Sequence, residues 1–178
     1  MRIIAGSHKG KKLKSFQGDK IRPTSDRAKE SLFNILSSTV VGASFLDVCA
    51  GTGAIGLEAY SRGASLVTFV DSSVESMKII KFNALSVGLD KEFILDNCLN
   101  FFKRVKNSYD IIFYDPPYVH NQVSEVLGLI KQNKVLNAGG MFIYERPRDK
   151  DKTLVEGFTI FDSRKYGIAT FDFYKEEL

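Results

Sequence analysis

Short apolar runs separated by helical stretches, repeated down most of the chain, constrain its fold more than any other feature. Ser44–Val48 reads as a short, mostly apolar strand. The turn Ala50-Gly51-Thr52-Gly53-Ala54-Ile55-Gly56 follows it and opens a helix through about Arg62. Leu66–Asp71 is the second strand, and Val74–Val87 is helical, with Met77, Ile80, Ala84 and Val87 on one face. Glu92–Leu95 is a short third strand, with a helix near Leu99–Val105. Asp110–Tyr114 is the fourth, and Val119–Asn133 is helical, with Val123, Val126, Leu127 and Ile130 on one face. Met141–Tyr144 is the fifth strand. Strands separated by helices imply right-handed crossovers and a parallel sheet. The end breaks the pattern. Phe158–Asp162 and Thr170–Tyr174 are rich in β-formers and flank Lys165-Tyr166-Gly167, with no room for a helix between them. An antiparallel hairpin closing the sheet is the reading. The expected architecture is an α/β, mostly parallel seven-stranded sheet ending in that hairpin.

An N-terminal extension precedes the alternating core. Ile3–Leu13 reads as a short β-ribbon with turns at Gly6 and Gly10. Thr24 or Ser25 can cap a helix running to about Ser37, with Asp26 and Glu30 suited to its N-terminus. Ala28, Leu32, Ile35 and Leu36 give that helix an apolar face. The 178 residues suit one domain, divided into an extension over 1–38 and a core over 39–178. Charge is unevenly spread: Met1–Asn34 carries nine Lys or Arg against three Asp or Glu, while the rest carries 16 against 18. Lys9, Lys11, Lys12, Lys14, Lys20, Arg22, Arg27 and Lys29 supply the excess. Taken alone, such lysines suit a solvated face as well as a polyanion, and the asymmetry favours nucleic acid. No apolar run approaches a membrane span, and the first residues lack the apolar core of a signal peptide, which leads us to expect a cytoplasmic protein. Cys49 and Cys98 offer neither a disulfide framework nor metal spacing, and Cys49 reads as a small buried residue.

The chemistry gathers at strand ends. Gly51-x-Gly53-x-x-Gly56 follows a strand and opens a helix, the context of a nucleoside-binding turn. Alone it is weak, since dinucleotide enzymes share it. Asp47, four residues before Gly51, can anchor a cofactor's amino-acid end, and Asp71 can accept hydrogen bonds from both ribose hydroxyls. Asp96, with Asn97 beside it, either faces an adenine amino group or caps the helix starting at Cys98. All would lie at the carboxyl edge of the sheet, where open α/β folds bind ligands.

Asp115-Pro116-Pro117-Tyr118 ends the fourth strand beside the switch point. Two prolines stiffen the loop and remove backbone donors. The Asp115 carboxylate and the Pro116 carbonyl can each take one N–H of an exocyclic base amine and turn its lone pair toward a methyl donor. Tyr118 can stack on the base, although Tyr144 is another candidate for that face. The amine of guanine is a poor nucleophile, so positioning and electrostatic support are the main help a protein gives. A sulfonium methyl donor is already activated, so no metal is required. Together the glycine turn, the acidic strand ends and this loop point to S-adenosylmethionine-dependent methylation of a nucleobase amine, on the methyltransferase variant of the Rossmann-like fold.

The chain resembles the RsmD family, bacterial guanine-N2 methyltransferases of small-subunit ribosomal RNA. The likeness covers nearly the whole chain. It runs through Arg2-Ile3-Ile4-Ala5-Gly6, Arg22-Pro23-Thr24-x-Asp26-Arg27, Asp47 to Ala59, Ser61-Arg62-Gly63-Ala64, Asp115-Pro116-Pro117-Tyr118 and Tyr144-Glu145. The resemblance implies S-adenosylmethionine as cofactor and one guanine of 16S ribosomal RNA as target, in a small subunit already partly assembled. It places Arg22, Thr24 and Arg27 at the mouth of the active site. Asp71 stands where relatives often carry Glu, and Cys49 where a bulkier residue is frequent. Lys9, Lys11 and Lys12 are expected to meet phosphate, and a monomer is the default. Three rivals remain at this point: an adenine-N6 DNA methyltransferase, a non-catalytic RNA-binding assembly factor and a nucleotide-dependent dehydrogenase. The small chain argues against the first, which needs a target-recognition region to read bases and flip one out; intact Asp47, Gly51, Gly53, Asp71 and Asp115 argue against the second; and the last has no use for the Asp-Pro-Pro-Tyr loop.

Overall fold

In a computed structural model, residues 1–16, 26–90, 92–117 and 122–177 are described. Seven strands form one sheet in the order β3-β2-β1-β4-β5-β7-β6. The strands β1 (Ser44–Val48), β2 (Leu66–Asp71), β3 (Phe93–Leu95) and β4 (Tyr109–Tyr114) pair in parallel, and β5 (Leu136–Pro147) pairs in parallel with β4. β7 (Ala169–Glu176) then runs antiparallel between β5 and β6 (Phe158–Tyr166). Chain order reverses between β1 and β4, so the switch point falls there.

Period-two alternation sorts the strands into two layers. Phe45, Ile111, Phe113, Ile143, Phe171 and Phe173 face one side, where they pack with α1 (Asp26–Leu36), α2 (Ala54–Ser61) and α3 (Val74–Leu85). Leu46, Val48, Ile112, Tyr114, Phe142 and Tyr174 face the other, against α4 (Cys98–Arg104) and α5 (Val123–Asn133). Ile3 and Leu13 of the N-terminal ribbon are buried in the first layer, so the extension shares the core of the sheet. The ribbon forms as read: Arg2 bridges Lys12 in antiparallel fashion, and Gly10 N–H donates to the Ile3 carbonyl at 2.9 Å.

The first four strands lie within one residue or so of their expected bounds, and the last three are longer. β5 starts opposite Tyr109 at Leu136, bulges, and resumes with Met141 opposite Ile111. Asn137-Ala138-Gly139-Gly140 reads as loop in the sequence because it is the bulge. At its other end β5 continues through Glu145, Arg146 and Pro147, paired with Phe171, Thr170 and Ala169. Charged residues conceal this stretch. Arg146 is buried because its Nε donates to Asp172 Oδ2 at 2.5 Å, while Ser163 Oγ donates to Asp172 Oδ1 at 2.5 Å. The polar run of β6 is tolerated because β6 is an edge strand. The expected capping residues Thr24 and Ser25, and the expected start of α5 at Val119, lie outside the described residues.

Candidate active site

The glycine turn is held from below by two aspartates. Asp47 is buried, and its Oδ2 accepts from the Gly56 N–H at 2.8 Å, so β1 is tied directly into the first turn of α2. Burial pushes the Asp47 carboxyl up to about 8, against the Gly56 bond that lowers it. Asp71 Oδ2 accepts from Gly51 N–H at 2.8 Å and its Oδ1 from Ser73 N–H at 2.8 Å. Each therefore shapes the loop as well as facing the sheet edge. Gly56 is where α2 meets the sheet: a Cβ there would lie 2.4 Å from Phe69 Cε1, so any side chain would push the helix off β2.

Beside this turn opens a cleft of about 120 Å³, lined in part by Cys49, Asp71, Asp96, Asn97, Tyr114 and Pro116. The residues expected after β2 and β3 thus meet in one cavity with the loop after β4. Of the two roles open to Asp96, capping belongs to its neighbour. Asn97 is the N-cap of α4, accepting from Leu99 N–H at 2.9 Å, because its side chain reaches the free amides of the first turn. Asp96 instead accepts from Asn97 N–H at 2.8 Å and pairs with Arg104 at 2.5 Å.

Cys49 departs from its expected role. It is only partly buried, turns the chain at a φ of 61°, and lines the cleft. Its thiol lines the same cleft as that of Cys98, and the interaction of the two holds Cys98 below and Cys49 above the ordinary thiol range. Cysteines 49 positions apart give no sign of this in a sequence. Tyr114 was likewise passed over: its hydroxyl stands 3.9 Å from Cys98 Sγ at the cavity wall. Tyr144 is not a free stacking face. It is buried against Tyr114, with ring centroids 5.8 Å apart.

Asp115 sits at the switch point, where its N–H donates to the Val48 carbonyl of β1 at 3.3 Å. Alternation turns its side chain, with those of Asp47 and Glu145, to the α1–α3 side of the sheet edge. Burial, then the nearby charges of Glu145 and Asp47, raise the Asp115 carboxyl well above the usual carboxylate range. Burial favours the neutral form of such a carboxyl, and a cation brought beside it favours the charged form. A cationic sulfonium is compatible with this edge. Pro116 lines the cleft, while Tyr118, Arg22 and Thr24 lie outside the described residues.

The N-terminal ribbon is fixed to α2 by a buried carboxylate, Glu58. Glu58 is fully buried and accepts from Ile4 N–H at 2.7 Å, Ala5 N–H at 3.0 Å and Arg62 Nε at 2.8 Å. Gly6 lies so close that a Cβ would fall 1.8 Å from the Ser61 carbonyl oxygen. Lys29, counted above among the basic residues facing a polyanion, is not available to one. It is buried, donates to the Arg2 carbonyl at 2.5 Å, and stands 3.6 Å from Glu58. Burial lowers its pKa, and Glu58 and Asp26 oppose that shift. Lys9, Lys11 and Lys12, by contrast, are exposed, as is Arg27.

A family model described as Conserved hypothetical protein 95 matches residues 1–175. The chain belongs to that family. It is 32% identical over 180 residues to Ribosomal RNA small subunit methyltransferase D from Haemophilus influenzae, covering 98% of this chain and 93% of that protein. The resemblance to the RsmD family is thereby borne out. The solved structure of yhhF from Escherichia coli superposes with a TM-score of 0.89 at 28% identity, covering 99% of this chain and 98% of that one. The SMU.776 methyltransferase fold, solved in complex with SAH, superposes with a TM-score of 0.69 at 20% identity, covering 91% of this chain and 53% of that one. The seven-stranded sheet is that of the S-adenosylmethionine-dependent methyltransferases.

Proposed function

We propose that the protein transfers a methyl group from S-adenosylmethionine to the exocyclic N2 amine of a guanine in 16S ribosomal RNA, in a wholly or partly assembled small subunit. The observation that carries this reading is the half-buried Asp115 carboxyl at the switch point, beside Glu145 and Asp47 and next to the cleft. The relative named for small-subunit ribosomal RNA methylation, matched over nearly its full length, supplies the substrate class. When bound, the cofactor supplies a methyl group on a cationic sulfonium. Asp71 would hold its ribose, Asp96 and Asn97 its adenine, and Asp47 with the Gly51 and Gly53 turn its amino-acid end. Asp115 and the Pro116 carbonyl would accept the two N–H groups of the guanine amine and fix its lone pair, with Tyr118 stacked on the base. Lys9, Lys11, Lys12 and Arg27, together with Arg22 and Thr24, would hold the RNA.

The test is transfer of labelled methyl from S-adenosylmethionine to small-subunit particles from cells lacking this protein, followed by nucleoside analysis. The expected product is labelled N2-methylguanosine. Label in another nucleoside overturns the assignment of the base. No label on particles or on naked ribosomal RNA, with cofactor bound, overturns the assignment of the substrate.

A further inference from the structure

The outer face of α3 carries an exposed aromatic ring among lysines. Phe82 is 59% exposed and Leu85 59% exposed. Lys78 lies one turn before Phe82 on the same face, and Lys81, exposed like Lys78, places its Nζ 5.9 Å from the centre of the Phe93 ring. Lys14, the last lysine of the ribbon, places its Nζ 5.2 Å from the centre of the Phe82 ring. Among the described residues none of these lysines has an ion-pair partner. Glu75 lies in the first turn of α3 and Asp90 beyond its end.

This face is built, because Lys14 is pinned by a buried side chain. Asn83 accepts from Lys14 N–H at 2.7 Å and donates to the Lys14 carbonyl at 3.0 Å. The same amide donates to the Thr52 carbonyl at 3.0 Å. One side chain thus joins the end of the ribbon, the glycine turn and the back of α3. Through Asn83, Lys14 is one hydrogen-bonded side chain away from the glycine turn at Thr52.

We propose that this α3 face is a docking surface for an unpaired stretch of RNA, with a nucleobase stacked on Phe82 and the flanking phosphates held by Lys14, Lys78 and Lys81. An aromatic ring set among cations is what sequence-tolerant single-strand binding requires, since every base has a π-face and every nucleotide a phosphate. Lys78 and Phe82 lie about 6 Å apart along the helix axis, so a phosphate and the base next to it can be engaged together. The inference rests on the reading that the substrate is RNA, and it names where that RNA runs on leaving the active site.

The experiment measures binding of a labelled, mixed-sequence single-stranded RNA of about 15 nucleotides across a salt series. The proteins are the wild type, Phe82→Ala, Phe82→Trp and the Lys78→Gln/Lys81→Gln double variant. Phe82→Ala is expected to weaken binding roughly ten-fold, and Phe82→Trp to keep it. The double variant is expected to reduce the slope of log K against log salt by about 1.4. S-adenosylhomocysteine affinity, unchanged in all of them, verifies folding. Unaltered RNA affinity in Phe82→Ala together with an unaltered slope in the lysine variant overturns the proposal. Lost methylation of particles with RNA binding intact overturns it too, and assigns the face to a ribosomal protein. Wild-type RNA binding that depends on Phe82, with no N2-methylguanosine formed, removes the reaction proposed above and leaves this surface standing.

Discussion

Asp115 is useful only as an acceptor, so its protonation state sets the pH dependence. Its carboxyl is raised first by burial and then by the charges of Glu145 and Asp47. Under the proposed mechanism kcat/KM therefore climbs with pH as that proton leaves. Glu145→Gln removes a negative neighbour, lowers the Asp115 pKa and moves the acid limb to lower pH. A limb that stays in place would show that Glu145 does not act on Asp115. Asp115→Ala should cost turnover roughly 100- to 1,000-fold while leaving cofactor binding in place, as isothermal titration with S-adenosylhomocysteine can read. Cys49 and Cys98 share the cleft with Asp71 and Asp96. Alkylation of Cys98, followed by mass spectrometry, should accordingly slow when S-adenosylhomocysteine is present. An unchanged rate would place the cofactor elsewhere.

The element that depends most on one residue is the N-terminal ribbon. Glu58 answers two of its backbone amides and compensates the buried ammonium of Lys29. Glu58→Ala leaves both amides without their acceptor and Lys29 with only the more distant Asp26, 4.0 Å away, a change that typically costs about 3–5 kcal/mol when a buried charge loses its partner. Urea denaturation should show a loss of that order. Lys9→Ala, at an exposed site on the same ribbon, should stay within about 0.5 kcal/mol of wild type. Equal effects from the two would mean that the ribbon is not held through Glu58. The terminal hairpin shows the same dependence on buried polar contacts, since Arg146 and Asp172 hold β5 and β7 together beyond the expected end of β5 at Tyr144.

Across the whole molecule the charge is polarised, and the structure trims it. Lys29 turns inward, while Lys9, Lys11 and Lys12 stay exposed. Neutralising those three should lower the salt slope of RNA binding by about 2, and an unaltered slope would mean that they never meet phosphate. The alternation of apolar runs, the glycine turn and the acids closing the strands already determined a parallel sheet with its ligand edge, because period-two and helical patterns are local. They also determined which strand ends bear Asp47, Asp71, Asp96 and Asp115. Family membership was legible too, since its motifs are contiguous in the chain. Only the tertiary structure decided that Cys49 meets Cys98, that Asn97 rather than Asp96 caps α4, that Glu58 holds the ribbon and Lys29, and that Phe82 stands out among lysines. Each of these depends on which groups are brought together from distant positions, and on whether a charge is left in water or given a partner inside. Burial and pairing of that kind are properties of the assembled layers, and no local pattern of residue types records them.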